Sequence, residues 1–380
     1  MLIGVPREIK SEEYRIGLTP AGARELVHHG HRVMVQRGGA LAIGFADTDY
    51  ETAGAGIADD AEAIFESCDM IIKVKEPQAN ECALLRPGQV LFTYLHLAPD
   101  PDQVRMLLAS GATCIAYETV TSEGGGLPLL APMSEVAGRM AIQAGAYNLE
   151  LTQGGDGILL GGVPGVEPAR VLIIGGGVVG INAARMAMGM GADVTLLDRS
   201  LERLQELEML FGGRMKTVFS THDAIERYAL EADLVVGAVL SPGAAAPKLV
   251  SRDLVRRMKK GAVMVDVAID QGGCFETSRP TTHQEPTYIV DDVVHYCVAN
   301  MPGGVARTST IALTNATLPY ALQLADQGAA QAMLENSHLR NGLNVHDGKI
   351  THPAVAQALG YEYAEPLNAL RGTAAAPDGR

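Results

Sequence analysis

Short apolar runs recur along the first third of the chain: LIGV, HRVMVQR, DMIIKV, QVLFTYL and TCIAY. Between them lie stretches with apolar residues at helical spacing: TPAGARELVHHG, DDAEAIFESC and PDQVRMLLASG. Apolar runs bounded by turn residues read as buried strands, and strands separated by helices of this length form parallel βαβ units. Thr19 is the expected N-cap of the first helix, with Pro20 at its first position and Gly30 as its stop; Asp100 caps a later one. A longer helical stretch, SEVAGRMAIQAGAYNLEL, starts at Ser134 as expected N-cap and bridges two domains. After the glycine-rich GGDGILLGGVPGVEP a second strand series begins at Arg170: RVLIIG, DVTLLD, MKTVFS, DLVVGA and AVMVDVAI. The last third returns to helix in STIALTNATLPYALQLADQG and HPAVAQALG, and the tail GTAAAPDGR is expected to be disordered. The fold class is therefore α/β, with two Rossmann-like, doubly wound parallel-sheet domains flanking a cleft.

The second series opens on a motif with a mechanism. Gly175, Gly177 and Gly180 stand in G-x-G-x-x-G spacing, directly after a strand and at the start of a helix, and the next strand ends at Asp198. Gly175 permits a tight turn, Gly177 lets the backbone approach a pyrophosphate, and Gly180 lets helix and strand pack closely. Free N–H groups at the helix start then hold phosphates. Asp198 accepts hydrogen bonds from ribose hydroxyls and repels a 2′-phosphate, so NAD is expected over NADP. Arg199, next to it, works slightly against that preference.

Bulk properties narrow the field. The 380 residues suit two domains or three, and 47% hydrophobic content is that of a folded chain. A net charge of −14 argues against nucleic acid or an anionic membrane as partner. Charge appears by Arg7, so no secretory signal is expected, and no apolar run reaches the length of a membrane span. The five cysteines are scattered without a CxxC, which fits reduced thiols in a cytoplasm and implies no metal site.

Open α/β sheets bind ligands at the carboxyl ends of their strands. In the first third those ends carry Arg15, Lys75 and His96, with Tyr94 on the strand leading to His96; in the second series AVMVDVAI ends at Asp270. Each has a plain alternative. Arg15 suits a solvated loop, Lys75 a surface pair with Glu76, and His96 a structural hydrogen bond. Asp270 suits a bond to the Gly272–Gly273 turn, and Asp266 a loop or helix cap. Together they make a carboxylate clamp, a proton relay and a counter-charge. Beside a nicotinamide, that set fits hydride transfer at the carbon next to a carboxylate, from an amino acid or a hydroxy acid.

The blocks MLIGVPREIKSEEYRIGLTP, KVKEP, FTYLHLAPD, APMSEVAGRMA, GGVPGVEPARVLIIGGGVVGINAA, DVAIDQGG, VANMPGGVARTST and LTNATLPY resemble the L-alanine dehydrogenase family in order and spacing, from Met1 to about residue 370. Relatives of that family include NAD-binding subunits of nicotinamide nucleotide transhydrogenase. The resemblance implies NAD-dependent, reversible deamination of L-alanine to pyruvate and ammonium. It implies His96 and Asp270 as the catalytic pair and Arg15, Lys75, Tyr94 and Asn300 around the substrate. It places cofactor contacts at Ser134, Gly175, Gly177, Val178, Val179, Gly180, Asp198, Arg203, Ser220, Val239 and Leu240. Further contacts fall at Val267, Ala268, Ile269, Asp270, Arg279, Val298, Ala299, Asn300 and Met301. It also implies a homohexamer whose first domain joins both chain ends: 1–130 with 308–380, against 131–307. Some members hold magnesium between the position of Glu118 and a histidine where this chain has Gln327, so no metal is expected. The rival readings are a transhydrogenase subunit and a 2-hydroxy acid dehydrogenase.

Overall fold

Parallel pairing dominates both sheets of the computed structural model, which describes residues 1–239 and 246–374. In chain order the strands are β1 (Leu2–Val5), β2 (Arg32–Gln36), β3 (Gly56–Ala58), β4 (Met70–Ile72), β5 (Val90–Thr93), β6 (Thr113–Ala116), β7 (Arg170–Ile174), β8 (Asp193–Asp198), β9 (Lys216–Phe219), β10 (Leu234–Gly237), β11 (Val263–Asp266), β12 (Thr287–Val290), β13 (Val293–Tyr296), β14 (Leu343–His346) and β15 (Lys349–Ile350). The chain divides into one unit of Met1–Pro132 with the segment from Val305 onward, and another of Met133–Gly304.

The first unit's sheet runs β15-β14-β6-β5-β4-β1-β2-β3; the second's runs β12-β13-β11-β10-β7-β8-β9. Both share one plan. The earliest strand is central, the next two lie to one side, and the following three lie to the other. This is the doubly wound order, and its direction reverses between β1 and β4 and between β7 and β10. In β7, Val171 and Ile173 enter one core and Leu172 and Ile174 the other, so the strand is apolar on both faces.

The sheets are not wholly parallel. β12 pairs with β13, and β14 with both β6 and β15, in antiparallel fashion. The two hairpins turn at Asp291 and Asp292 (φ 51° and 62°) and at Asp347 and Gly348 (φ 46° and 71°). Paired left-handed residues match the twist of a two-residue hairpin.

Helix starts follow the local chemistry, with one correction. Thr19 accepts from the N–H of Gly22 and caps the helix Pro20–His28. Asp100 accepts from Gln103 and caps Pro101–Ser110. Ser134, however, is not an N-cap: it lies inside the helix Ala131–Asn148. Pro132 is tolerated in that first turn because its missing N–H would have had no helical partner there. Two strands also end earlier than their apolar runs. AVMVDVAI leaves the sheet at Asp266 and continues as the 3-10 helix Val267–Gln271, and β5 stops at Thr93, before Tyr94 and His96. The beginning of the expected disordered tail continues the helix Pro366–Ala374; residues 375–380 lie outside the described part, as does Leu240.

Candidate active site

The first unit gathers its charged residues at the reversal between β1 and β4. The loop after β1 carries Arg15, and it can lie against the end of β4 because of Gly17. A Cβ on Gly17 would stand 2.6 Å from the Ile72 carbonyl oxygen and 3.0 Å from the Lys73 nitrogen. Arg15 is buried, and one edge of its guanidinium is taken by Glu13: Nε donates to Oε1 at 2.7 Å and Nη2 to Oε2 at 2.6 Å. Burial works against the charge, but the bonds and charge of Glu13 outweigh it and hold the Arg15 pKa above its ordinary value. Arg15 is thus a built-in cation, not a solvated loop residue.

Lys75 follows β4 and is half-buried. Its backbone is fixed at both ends: the N–H donates to Glu8 Oε1 at 3.3 Å, and the carbonyl accepts from Thr93 Oγ1 at 2.9 Å. Among the described residues its ammonium has no partner, because Glu76 pairs with Lys10 instead. Burial, then the charge of Arg15, lowers the Lys75 pKa. Beneath it Lys73 donates to Glu8 Oε2 at 3.0 Å and to Glu81 Oε1 at 2.8 Å, all three side chains being almost fully enclosed. Glu8 also accepts from the Val74 N–H at 2.6 Å. This buried triad, absent from the sequence reading, fixes the strand end that presents Lys75.

His96 is exposed and sits at φ 48°, a left-handed conformation rare outside glycine. Glu118 holds it there. Its Oε1 accepts from the N–H of His96 at 2.6 Å and of Leu95 at 3.1 Å, and lies 3.8 Å from His96 Nδ1. The ring stacks on Tyr94 at 5.8 Å and 6°, and the Tyr94 hydroxyl donates to the Leu129 carbonyl at 2.5 Å. Glu118 accepts from two backbone N–H groups, and Gln327 lies beside Gln323.

In the second unit the reversal between β7 and β10 carries the glycine turn. Gly175 has φ 109°, and a Cβ there would stand 2.5 Å from the Ala238 carbonyl oxygen. A Cβ on Gly180 would meet the Gly175 oxygen at 1.8 Å, whereas none of the surrounding atoms comes within 4 Å of one on Gly177. So two glycines close the turn and the third faces open space. The helix Val178–Gly189 begins without a side-chain cap, leaving its first N–H groups for an anion. Asp198 braces the turn: Oδ2 accepts from Gly176 at 2.6 Å and Oδ1 from Ser200 at 2.8 Å. A carboxylate has lone pairs left for ribose hydroxyls after that. Arg203 supports the same turn, its Nε donating to the Gly176 carbonyl at 2.7 Å. These residues fit a dinucleotide.

Other expected contacts have definite places within this unit. Ser220 donates its N–H to the Asp198 carbonyl, and the Val239 nitrogen lies 3.2 Å from where a Gly175 Cβ would be. Ser134, Val178, Val179 and Val267 are exposed or half-buried. Ala268, Ile269, Val298 and Met301 are buried. Ala299 donates to Thr281, and Asn300 adopts φ 60° with its carbonyl accepting from Gly303. Arg279 lays its guanidinium 4.1 Å over the Tyr288 ring.

Asp270 and Asp266 divide their labour. The N–H groups of Gly272 and Gly273 donate to the carbonyls of Ile269 and Ala268, so the turn does not use Asp270. The fully buried Asp266 does the structural work, accepting from the N–H groups of Ala268, Cys274 and Phe275 and from Ser278 Oγ. Asp270 stands exposed, without a side-chain partner among the described residues.

The N-terminal domain of the alanine dehydrogenase/PNT family matches residues 4–137, and its C-terminal domain residues 141–353. The chain belongs to that family. It is 64% identical to alanine dehydrogenase of Halomonas elongata, over 97% of this chain and 100% of the relative. It is 55% identical to alanine dehydrogenase of Bacillus subtilis, over 98% of each. A solved L-alanine dehydrogenase superposes with TM-score 0.92 at 51% identity, covering 95% of this chain and 99% of that one. A transhydrogenase from Sinorhizobium meliloti shares the fold, with TM-score 0.80 at 23% identity over 93% and 100%.

Proposed function

We propose that this chain catalyses the NAD-dependent, reversible oxidative deamination of L-alanine to pyruvate and ammonium. The observation that carries the reading is the pair Arg15 and Lys75 at one strand reversal, Arg15 bonded to Glu13 and the Lys75 backbone held by Glu8, in a chain whose full-length relatives are alanine dehydrogenases. Arg15 and Lys75 hold the carboxylate of the small acid and orient Cα. When bound, the nicotinamide accepts the hydride that leaves Cα of the neutral amine. His96 takes a proton from the water that attacks the resulting iminium carbon, and Asp270 balances that cation and orients the water. The carbinolamine then collapses to the carbonyl: its C–N bond breaks as His96 returns the proton to the leaving nitrogen, and the hydroxyl proton passes through His96 to the released ammonia. Water and alanine thereby become pyruvate and ammonium.

Under the same proposal Asp198 selects NAD over NADP by repelling a 2′-phosphate. The five cysteines, all unpaired, support a cytoplasmic location, and the resemblance supports a homohexamer. No helix among the described residues is long and apolar enough to cross a membrane. The test is NADH oxidation by the purified chain with pyruvate, with and without ammonium. Turnover that depends on ammonium is expected. Reduction of pyruvate without ammonium would instead indicate a 2-hydroxy acid dehydrogenase, and no turnover a transhydrogenase subunit.

A further inference from the structure

Asp270 lies on the 3-10 helix Val267–Gln271, a single turn, and its side chain bonds to nothing in the described protein. A group that must meet a reacting centre needs its backbone held, because misplacement by about 1 Å is worth about a hundredfold in rate. The helix N-terminal side is held from within by Asp266, through the Ala268 N–H at 3.1 Å. On its C-terminal side the same carboxylate accepts from the N–H groups of Cys274 at 2.9 Å and Phe275 at 3.3 Å, but it cannot hold the carbonyls there. There the chain reverses through Gly272 and Gly273, both left-handed at φ 87° and 76°. Glycine adopts such angles readily and confers no rigidity.

The carbonyls of that reversal are held by an exposed lysine. Lys248 Nζ donates to the carbonyls of Gly272 at 2.6 Å, Gly273 at 2.8 Å and Phe275 at 3.2 Å. All three donor positions of the ammonium are used, and all on one loop. Ordering a lysine side chain gives up rotamer freedom, which three bonds to one loop must offset. The backbone around Lys248 is itself strapped to the same loop. Ala246 donates to Gln271 at 3.0 Å, Leu249 to Cys274 at 2.7 Å, and Glu276 to Val250 at 3.0 Å. Val250 and Phe275 form a parallel bridge. Lys248 therefore grips the residues just after Asp270 and none of those before it.

We propose that Lys248 is a positioning residue for Asp270: its ammonium locks the carbonyls of Gly272, Gly273 and Phe275 and so fixes where the Asp270 carboxylate stands. The proposal rests on the reading of Asp270 as a catalytic residue. Because the grip lies beyond Asp270, substrate binding by Arg15 and Lys75 is left alone, and so is the glycine turn.

The experiment is a double-mutant cycle on the full chain, with kcat, pyruvate KM, NADH affinity and melting temperature read for Lys248→Met, Lys248→Arg, Asp270→Asn and the Lys248→Met/Asp270→Asn pair. Lys248→Met should lower kcat roughly tenfold to a hundredfold, the range for lost hydrogen bonds to a charged group. Pyruvate KM and NADH affinity should stay near the parent. Lys248→Arg should regain most of the rate. With Asp270→Asn already present, Lys248→Met should change kcat by less than about threefold, because nothing is left to position. Two results overturn the proposal while leaving Asp270 catalytic: a silent Lys248→Met, or an equal loss in both backgrounds accompanied by falling NADH affinity and melting temperature. A folded Asp270→Asn with parental kcat overturns the reading of Asp270 and the proposal with it.

Discussion

The two units share one strand order but present opposite chemistry where that order reverses. In the second unit the reversal between β7 and β10 is built of backbone: glycines without side chains, a helix start without a cap, and one carboxylate bracing the turn. In the first, the reversal between β1 and β4 is built of charge: Arg15 on Glu13, Lys73 between Glu8 and Glu81, and Lys75 above them. A polyanionic cofactor is met by amide dipoles, which need close approach and no neutralising partner. A small carboxylate is met by full cations, which need buried counter-charges to stay in place. On the proposed reading the same scaffold supports two kinds of recognition, and each should fail in its own way.

The largest effect separates proton chemistry from binding. His96→Gln should lower kcat by roughly two to four decades, the usual range for a lost acid–base group, with melting temperature near the parent because the ring is exposed. Rates within about threefold of the parent would move the proton relay elsewhere. Next comes the buried pair. Arg15→Met takes the guanidinium from Glu13, whose side chain is 1% exposed, and should destabilise the first unit by about 3–5 kcal/mol. Arg15→Met with Glu13→Leu should recover most of that stability and none of the pyruvate affinity. Denaturant titration and pyruvate binding read the two separately; a double variant that still binds pyruvate would remove Arg15 from the site.

The second unit should respond without any such compensation. Gly177→Ala meets no atom within 4 Å, so stability should move by less than about 1 kcal/mol while NADH affinity falls. Gly180→Ala drives a methyl to 1.8 Å from the Gly175 oxygen, and should lose about 1–3 kcal/mol of stability along with NADH binding. Parental NADH affinity in Gly177→Ala would mean that the pyrophosphate does not approach there.

This contrast also explains what was legible in the sequence. The demands of the glycine turn are local, so the spacing of Gly175, Gly177, Gly180 and Asp198 exposes them directly. The charged end is different. Arg15, Lys75, His96 and Asp270 stand out as strand-end residues, but their supports are distant: Glu8 reaches Val74, and Glu118 reaches His96. Nothing in the chain near Glu118 marks it as the residue that holds His96 at positive φ. Lys248, likewise, lies in an unremarkable APKLV run yet bonds the loop after Asp270. The β14–β15 hairpin escapes the sequence reading of its stretch as helical, although Asp347–Gly348 beside apolar residues is a strong turn pattern. The β12–β13 turn at Asp291–Asp292 lacks that glycine, and Ser134 mimics a cap one turn inside a helix that begins earlier.

The smallest effect tests whether the charges of the first unit act as charges. Burial and the nearby Arg15 lower the Lys75 pKa, so its ammonium is lost at a pH below the ordinary lysine value of about 10.4. The sign differs for folding and for binding. A folded-state pKa below the unfolded one means that the charged form strains the fold at lower pH, and this penalty fades as pH rises through the folded pKa. Pyruvate binding runs the other way: it needs the ammonium, is full below the folded pKa and falls about tenfold per unit above it. Pyruvate binding to the NADH complex, measured without ammonium so that no turnover occurs, should therefore weaken on an alkaline limb that begins below the ordinary lysine range. Lys75→Arg should push that limb out of reach, because a guanidinium keeps its charge, while Lys75→Met should bind weakly at every pH and show no limb. A limb unchanged in both variants would assign the titration to another group and leave Lys75 as a polar neighbour of Arg15 rather than half of the carboxylate clamp.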